Sequence, residues 1–276
     1  MSDPDLSRML RLAMRRTDVL RAILLGLLLG VCIVVSAFVS LSAGLLTGIG
    51  AFFALAAFWG YTRRRRQAPV TAGVTRPALD AAFDQPVYLL PERMPQSQLQ
   101  LLFPDASSAR LRDLVSASWQ GLRFTFANMV LRDGRHGRAL FRGQWLAVQT
   151  DWPMKGRIVL REHLPSDPLC VDGAVSSSLP MADPELLHAY RVETDVPSAA
   201  AAILSTRLLR SLLLASPGAR MTILDGKVHL ALPSDRPFFQ LTGLEESIDQ
   251  VNSDTQRQIA VIQTWLDSLL AVEYPA

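Results

Sequence analysis

Cysteine, histidine and the common catalytic signatures are scarce in this chain. Its 276 residues hold two cysteines, Cys32 and Cys170, too few for a disulfide framework and without a Cys-x-x-Cys metal spacing. Four histidines are present, His136, His163, His188 and His229. No two stand at the i, i+4 spacing of a helical metal pair, and no His-Glu-x-x-His occurs. A phosphate loop of the Gly-x-x-x-x-Gly-Lys-Ser/Thr type is missing, since Gly134 and Gly137 are spaced by the needs of a turn. Ser176, Ser177 and Ser178 lack the Gly-x-Ser-x-Gly setting of a strained nucleophile elbow. Cys170 follows Pro168-Leu169 with no helix start behind it to lower its pKa. The pairs Glu162/Asp167 and Glu245/Glu246 carry no neighbouring pattern that divides acid from base. Each of these residues reads as structural or solvated, and the sequence assigns no catalytic, cofactor-binding or metal-binding residue. Internal repeats and low-complexity tracts are absent as well.

The most consequential absence is charge. From Ala22 to Gly60 no charged side chain interrupts 39 residues. As one helix that run would reach roughly 58 Å, nearly twice the roughly 30 Å of a bilayer's hydrocarbon core. It therefore predicts a two-helix transmembrane hairpin over 22–60, turning near Ser40, Ser42 and Gly44, with Cys32 inside the bilayer. Arg8, Arg11, Arg15, Arg16 and Arg21 precede it, Arg63 to Arg66 follow it, and the turn holds no Lys or Arg. Positive charge is retained on the cytoplasmic side, which places both ends there. Trp59 and Tyr61 fall at headgroup level, and Gly26, Gly30, Gly44, Gly48 and Gly50 permit close helix approach. A cleaved secretory signal ending near Ser40 and Ser42 competes with this reading, but the second apolar segment and its four arginines form a stop-transfer pattern.

The charge balance follows the same division. Nine arginines against Asp3, Asp5 and Asp18 leave residues 1–66 at +6, so the chain's net +3 leaves −3 for the remainder. The basic isoelectric point of about 9.2 thus belongs to the flanks, which suit anionic lipid headgroups. With a mildly acidic remainder the sequence carries no nucleic-acid footprint. The expected organisation is a basic cytoplasmic N-terminus (1–21), the hairpin (22–60), a basic stop and Pro/Ala/Gly-rich linker (61–86), and a cytoplasmic domain (87–276) in a bacterial inner membrane protein.

Within the domain, helix is expected at Ser107–Val115. Leu122, Phe124 and Phe126 alternate with Arg123, Thr125 and Ala127 as a strand. A turn at Asp133-Gly134 leads to a partner strand over Ala139–Thr150, and Arg157–Glu162 is a third. His136 sits by that turn, and His163 ends the third strand. Pro165–Pro180 reads as a loop, and Asp183-Pro184-Glu185 starts a helix. Tyr190, Val192 and Thr194 alternate again, with His188 at the strand's opening. A helix is expected over Ser198–Ala215, stopped by Pro217-Gly218. Asp225-Gly226 joins Met221–Leu224 to Val228–Leu232 as a hairpin, with His229 on the Ala231 side. Ile248, Val251, Ile259, Ile262, Leu266 and Leu269 recur at helical spacing in a last helix over Glu245–Val272. The fold class is α+β: a mostly antiparallel sheet with packed helices.

Phe141-Arg142-Gly143-Gln144-Trp145 is the domain's most distinctive string; its glycine marks close backbone approach, a bulge or a ligand-facing strand. With Tyr190–Asp195, the Ala- and Leu-rich helix around Ala202-Ile203-Leu204, the Asp225-Gly226 strand pair and Phe238-Phe239 before the last helix, the order of elements resembles a bacterial family, domain of unknown function number 3137. The resemblance implies the topology and the domain count, and brings no activity with it. Three functions stand as expectations. The first is a non-enzymatic interaction or scaffold domain for an envelope protein, its last helix packing on its own domain or on a partner. The second is a lipid or small-ligand sensor with Phe141 and Trp145 lining a pocket. The third is a hydrolase whose His, Asp and Ser meet only in the fold.

Overall fold

A computed structural model describes residues 70–104, 106–132, 139–162, 184–240 and 248–272, together with residues 49, 50, 53, 57 and 67. The expected hairpin at 22–60 lies almost wholly outside them. Among the described residues no helix is long and apolar enough to cross a membrane. Two compact units divide the chain, Met1–Pro77 with Gln240–Asp254, and Ala78–Phe239 with Thr255–Ala276. In the former, Thr71–Thr75 forms a π-helical turn that buries Val74 and Thr75. The latter holds the whole sheet.

Eight strands make that sheet: β1 (Asp84–Tyr88), β2 (Ser108–Trp119), β3 (Leu122–Arg132), β4 (Ala139–Gln149), β5 (Arg157–Glu162), β6 (Tyr190–Thr194), β7 (Arg220–Leu224) and β8 (Lys227–Pro233). Their order is β1-β2-β3-β4-β8-β7-β5-β6 and every pairing is antiparallel. The expected α+β class with an antiparallel sheet is what forms. The helices are α1 (Arg76–Ala82), α2 (Gln96–Leu102), α3 (Pro184–Ala189), α4 (Pro197–Ser205), α5 (Arg207–Leu214) and α6 (Ile248–Leu270). Two hairpins have the same two-residue turn. Gln120 (φ 49°) and Gly121 (φ 84°) join β2 to β3; Asp225 (φ 47°) and Gly226 (φ 74°) join β7 to β8. Positive φ at both central residues matches the twist of the flanking strands.

Strand alternation gives the sheet two different faces. On one, Phe124, Phe126, Leu146, Val148, Leu230 and Ile223 belong to the main core. Leu79 of α1, Ile203 and Leu204 of α4, Leu209 and Leu213 of α5, and Ile259, Ile262, Leu266 and Leu269 of α6 complete it. The stripe on the last helix is therefore covered by its own domain from residue 259 on. Phe238 and Phe239 pack here too, Phe238 stacking on Phe126 and on Trp265 at 5.6 and 5.7 Å. Asn128 fixes this corner: its amide donates to the Phe238 carbonyl, and its carbonyl accepts from the Phe238 N–H, both at 2.8 Å. On the other face Leu111, Met129, Leu131, Phe141 and Trp145 form a smaller core with Leu99 and Leu102 of α2. The last carbonyls of α2, which have no partner within the helix, are met from β7. Thr222 Oγ1 donates to Leu101 O at 2.9 Å, and the Arg220 guanidinium to Leu102 O at 3.1 Å.

Three expectations fail. Residues 108–115 lie in strand β2 and not in a helix. A bulge between Arg112 and Val115, with Asp113 at φ 52°, shifts the alternation by one. It leaves Leu111, Leu114 and Val115 at i, i+3, i+4, a helical spacing that the two faces of a strand share out. The helix expected over 198–215 is two helices broken at extended Thr206 (ψ 118°). Leu208, which an unbroken helix would stack below Leu204, is exposed, while Leu209 and Leu213 are buried. The supposed linker at 67–86 carries the π-helical turn, α1 and the first half of β1, with Leu79 and Phe83 in the core. Its Pro, Ala and Gly content conceals these anchors.

Candidate functional site

The helix α2 covers only part of the second face. Beyond it the registers align two polar ranks across four strands. Ser118 pairs Arg123, Arg123 pairs Gln149 and Gln149 pairs Lys227. One rank inward, Ser116 pairs Thr125, Thr125 pairs Ala147 and Ala147 pairs His229. The two-residue turn at Gln120-Gly121 sets the first of these registers, since a slip of one residue would turn every side chain to the other face. The result is a cleft of about 390 Å³, walled by Gln98 of α2 and by Gln85 and Val87 of β1.

Its chemistry is polar and cationic. Arg123, Gln149 and Lys227 are exposed and Ser116, Ser118 and Thr125 half-buried. The Ser116 and Thr125 hydroxyls are hydrogen-bonded to each other at 2.7 Å. Among the described residues no Asp or Glu lines the cleft, and exposed Asp84 of β1 pairs Ser118 at the end of the outer rank. At its inner end Trp145 and His229 lie nearly parallel, 5.9 Å between ring centres. Both are buried, and neither Trp145 Nε1 nor His229 Nδ1 has a hydrogen-bond partner. Such an atom costs about 1–3 kcal/mol when left unpaired. Burial first, and the Lys227 charge two residues away second, lower the His229 pKa to about 4, so the imidazole is neutral at neutral pH.

A second cleft of about 510 Å³ opens beside Phe103, Phe141, Arg142 and Glu162. Its Arg220 is already engaged, lying 4.6 Å over the Phe103 ring and bonded to α2. Phe141 and Trp145 thus line different clefts, although both face the same side of β4. Gly143 between them sits where a Cβ would collide with the Leu232 carbonyl of β8. Of its candidate readings, close backbone approach is the one the fold realises.

Of the histidines, His229 takes its expected place on the Ala231 face of β8. His188 belongs to α3 and does not open a strand. His136, His163, Cys170, Ser176–Ser178, Asp167, Gly134, Gly137, Glu245 and Glu246 lie outside the described residues, as does the Asp133-Gly134 turn. No cluster of three or more His, Cys, Asp or Glu that could hold a metal occurs among the described residues. The sequence singles out none of Arg123, Ser118 and Lys227: Arg123 stands only as the polar alternate beside Phe124, and Ser118 and Lys227 fall outside every expected element. The two-residue turn at Gln120-Gly121 was the available signal for one side of the cleft, because it sets Ser118 opposite Arg123 and Ser116 opposite Thr125.

No family model matches the chain, and no curated protein matches it. Among solved structures it is similar to the crystal structure of the mycobacterial trehalose monomycolate transport factor A. Identity is 12% and the TM-score 0.34, over 75% of this chain and 98% of that one. A likeness so distant carries no argument here.

Proposed function

We propose that this chain is a membrane-tethered, non-enzymatic binding protein whose cytoplasmic domain takes a small ligand or a lipid headgroup in the cleft on the α2 side of its sheet. The observation that carries the reading is the pair of buried, unpartnered ring nitrogens of Trp145 and His229 at the inner end of an open polar cleft. A buried polar group is nearly always satisfied, and one that is not asks for a missing partner. The tether is the uncharged stretch Ala22–Gly60 between its arginines, anchored in the bacterial inner membrane with both termini cytoplasmic. Membership of the family of domain of unknown function number 3137 belongs to the same proposal.

A scaffold for a protein partner is the second reading. Its original support in the last helix is gone, because Ile259, Ile262, Leu266 and Leu269 are buried in their own core. It rests instead on the outer strand β1 and the residues just after it, where Val87, Leu89 and Leu90 are exposed. Such an edge accepts a partner strand.

The test is a thermal-shift screen of the full-length protein in detergent against a metabolite and lipid-extract panel, beside its His229→Gln variant. A hit that stabilises the wild type and not the variant supports the cleft. No hit, together with a stoichiometric protein partner on native purification, moves the function to the β1 edge.

A further inference from the structure

We propose that the ligand of this cleft carries a phosphate ester on a hydroxyl-bearing body, the phosphate held between Arg123 and Lys227. The inference rests on the reading of the cleft as a binding site and adds the chemical class. Arg123 and Lys227 stand in one rank on either side of Gln149, two strand spacings apart, which is about 10 Å at the backbone. Both side chains are long and exposed, and the carboxylate in their rank, Asp84 of β1, stands two strand spacings beyond Arg123 on the side away from Lys227. Two cations flanking an amide suit one anion shared between them. The guanidinium's fork favours the planar or tetrahedral oxygens of carboxylate and phosphate, and the ammonium adds a point charge.

Phosphate is preferred over carboxylate because the neighbouring groups extend the donor array. Ser118 pairs Arg123 in the same rank, and the Ser116 and Thr125 hydroxyls lie one rank inward. A phosphate's several oxygens can use more of these than a carboxylate's two. Deeper in, the cleft changes character. The indole N–H of Trp145 is a donor without acceptor, and the neighbouring imidazole is neutral with Nδ1 unpartnered. A hydroxyl both donates and accepts, so one sugar-like or glycerol-like hydroxyl complements this pair where a second anion would not.

The chemistry is shared by a soluble phosphorylated polyol and by a phospholipid headgroup, which the experiment separates. Full-length protein, wild type and Arg123→Gln/Lys227→Gln, is titrated in detergent with inositol 1-phosphate, with inositol and with inorganic phosphate. Both proteins are then placed in phosphatidylcholine nanodiscs with and without phosphatidylinositol. Both substituted residues are exposed, and Arg63 to Arg66 stay in place, so any difference belongs to the cleft. Binding of inositol 1-phosphate weakened about ten- to a hundredfold in the double variant supports the proposal with a soluble ligand. The same loss seen only with phosphatidylinositol nanodiscs supports it with a headgroup. Equal affinity for inositol and its phosphate, unchanged in the variant, overturns the anionic class and leaves the cleft a polyol site. Binding of none of these probes, while a neutral hit from the thermal-shift panel still needs His229, also overturns the class alone. No binding to any probe and no panel hit removes the class and the site together.

Discussion

Replacing His229 with glutamine tests how the floor of the cleft is linked to stability. The native imidazole has its pKa lowered from 6.5 to about 4, by burial first and by Lys227 second. In the unfolded chain it titrates near 6.5. Between these values the unfolded state binds a proton that the folded state refuses. The neutral ring therefore contributes stability that is present above about pH 6.5 and lost as the pH falls towards 4. Worked between pH 7 and pH 5 the two titrations differ by about 2 kcal/mol. That is a sizeable part of a domain stability of about 5–15 kcal/mol. The assay is urea unfolding of the full-length protein in detergent, followed by far-ultraviolet circular dichroism at both pH values. The variant should lose about 2 kcal/mol less than wild type on acidification, and the comparison cancels the carboxylates common to both. Equal losses would refute the argument that His229 is held neutral.

Gly143→Ala should be destabilising well beyond an exposed strand position. Its Cβ would lie 2.9 Å from the Leu232 carbonyl carbon and from Pro233 Cα, so the β4–β8 pair must open. A loss of about 1–3 kcal/mol or more is expected, and an unchanged melting temperature would contradict it. Ile262→Asp puts a charge into a site 1% exposed and should abolish folding, whereas Ile262→Val should cost only about 1 kcal/mol. A folded Ile262→Asp protein would mean that α6 is not core. Tyr190 donates its hydroxyl hydrogen to Leu213 O at 2.7 Å and lies 2.9 Å from Ser216 O, with its pKa raised from 10 to about 12. Its raised pKa gives stability that is present below pH 10 and lost as the pH climbs to 12. Tyr190→Phe should cost about 1 kcal/mol at pH 7 and flatten the alkaline limb of the unfolding curve, and a limb identical to wild type would count against it.

What could be read from the sequence was what is local. Phe124 and Phe126 alternate with no interruption, Asp225-Gly226 specifies its own turn, and the stripe through Ile259 and Leu269 holds helical period for several turns. Where the backbone departs from regularity the reading failed, at the Asp113 bulge and at the Thr206 break. Each displaces the apolar pattern by one residue, and the bulge in doing so mimics a helical spacing. The sheet order was closed to it for a different reason. Gly143 meets Pro233 and Arg157 meets Leu224 across many dozens of residues, and no short pattern encodes such pairings. The cleft fails to announce itself for the same reason. Its ranks draw single polar residues from β2, β3, β4 and β8, and each of those residues looks like ordinary solvated surface on its own strand.

Composition along these four strands favours the proposed ligand-binding reading over the scaffold. On the α2 side of the sheet, β3 runs from buried Leu131, Met129 and Ala127 to half-buried Thr125 and exposed Arg123. β4 runs from Phe141, Gly143 and Trp145 to Ala147 and Gln149, and β8 from Ala231 and His229 to Lys227. β2 changes at the matching point, from Leu111 and Leu114 to Ser116 and Ser118. β2, β3 and β8 switch from apolar to polar at the same height, and β4 follows one rank further out, after Ala147. A surface that waited for an apolar partner helix would keep its apolar residues through that boundary, as helix-in-groove recognition requires. This one gives them up within two ranks and adds two cations, with Asp84 at the far end of the outer rank. The open half of the face is therefore polar and wet, which is the ground for proposing a polar, anionic ligand there.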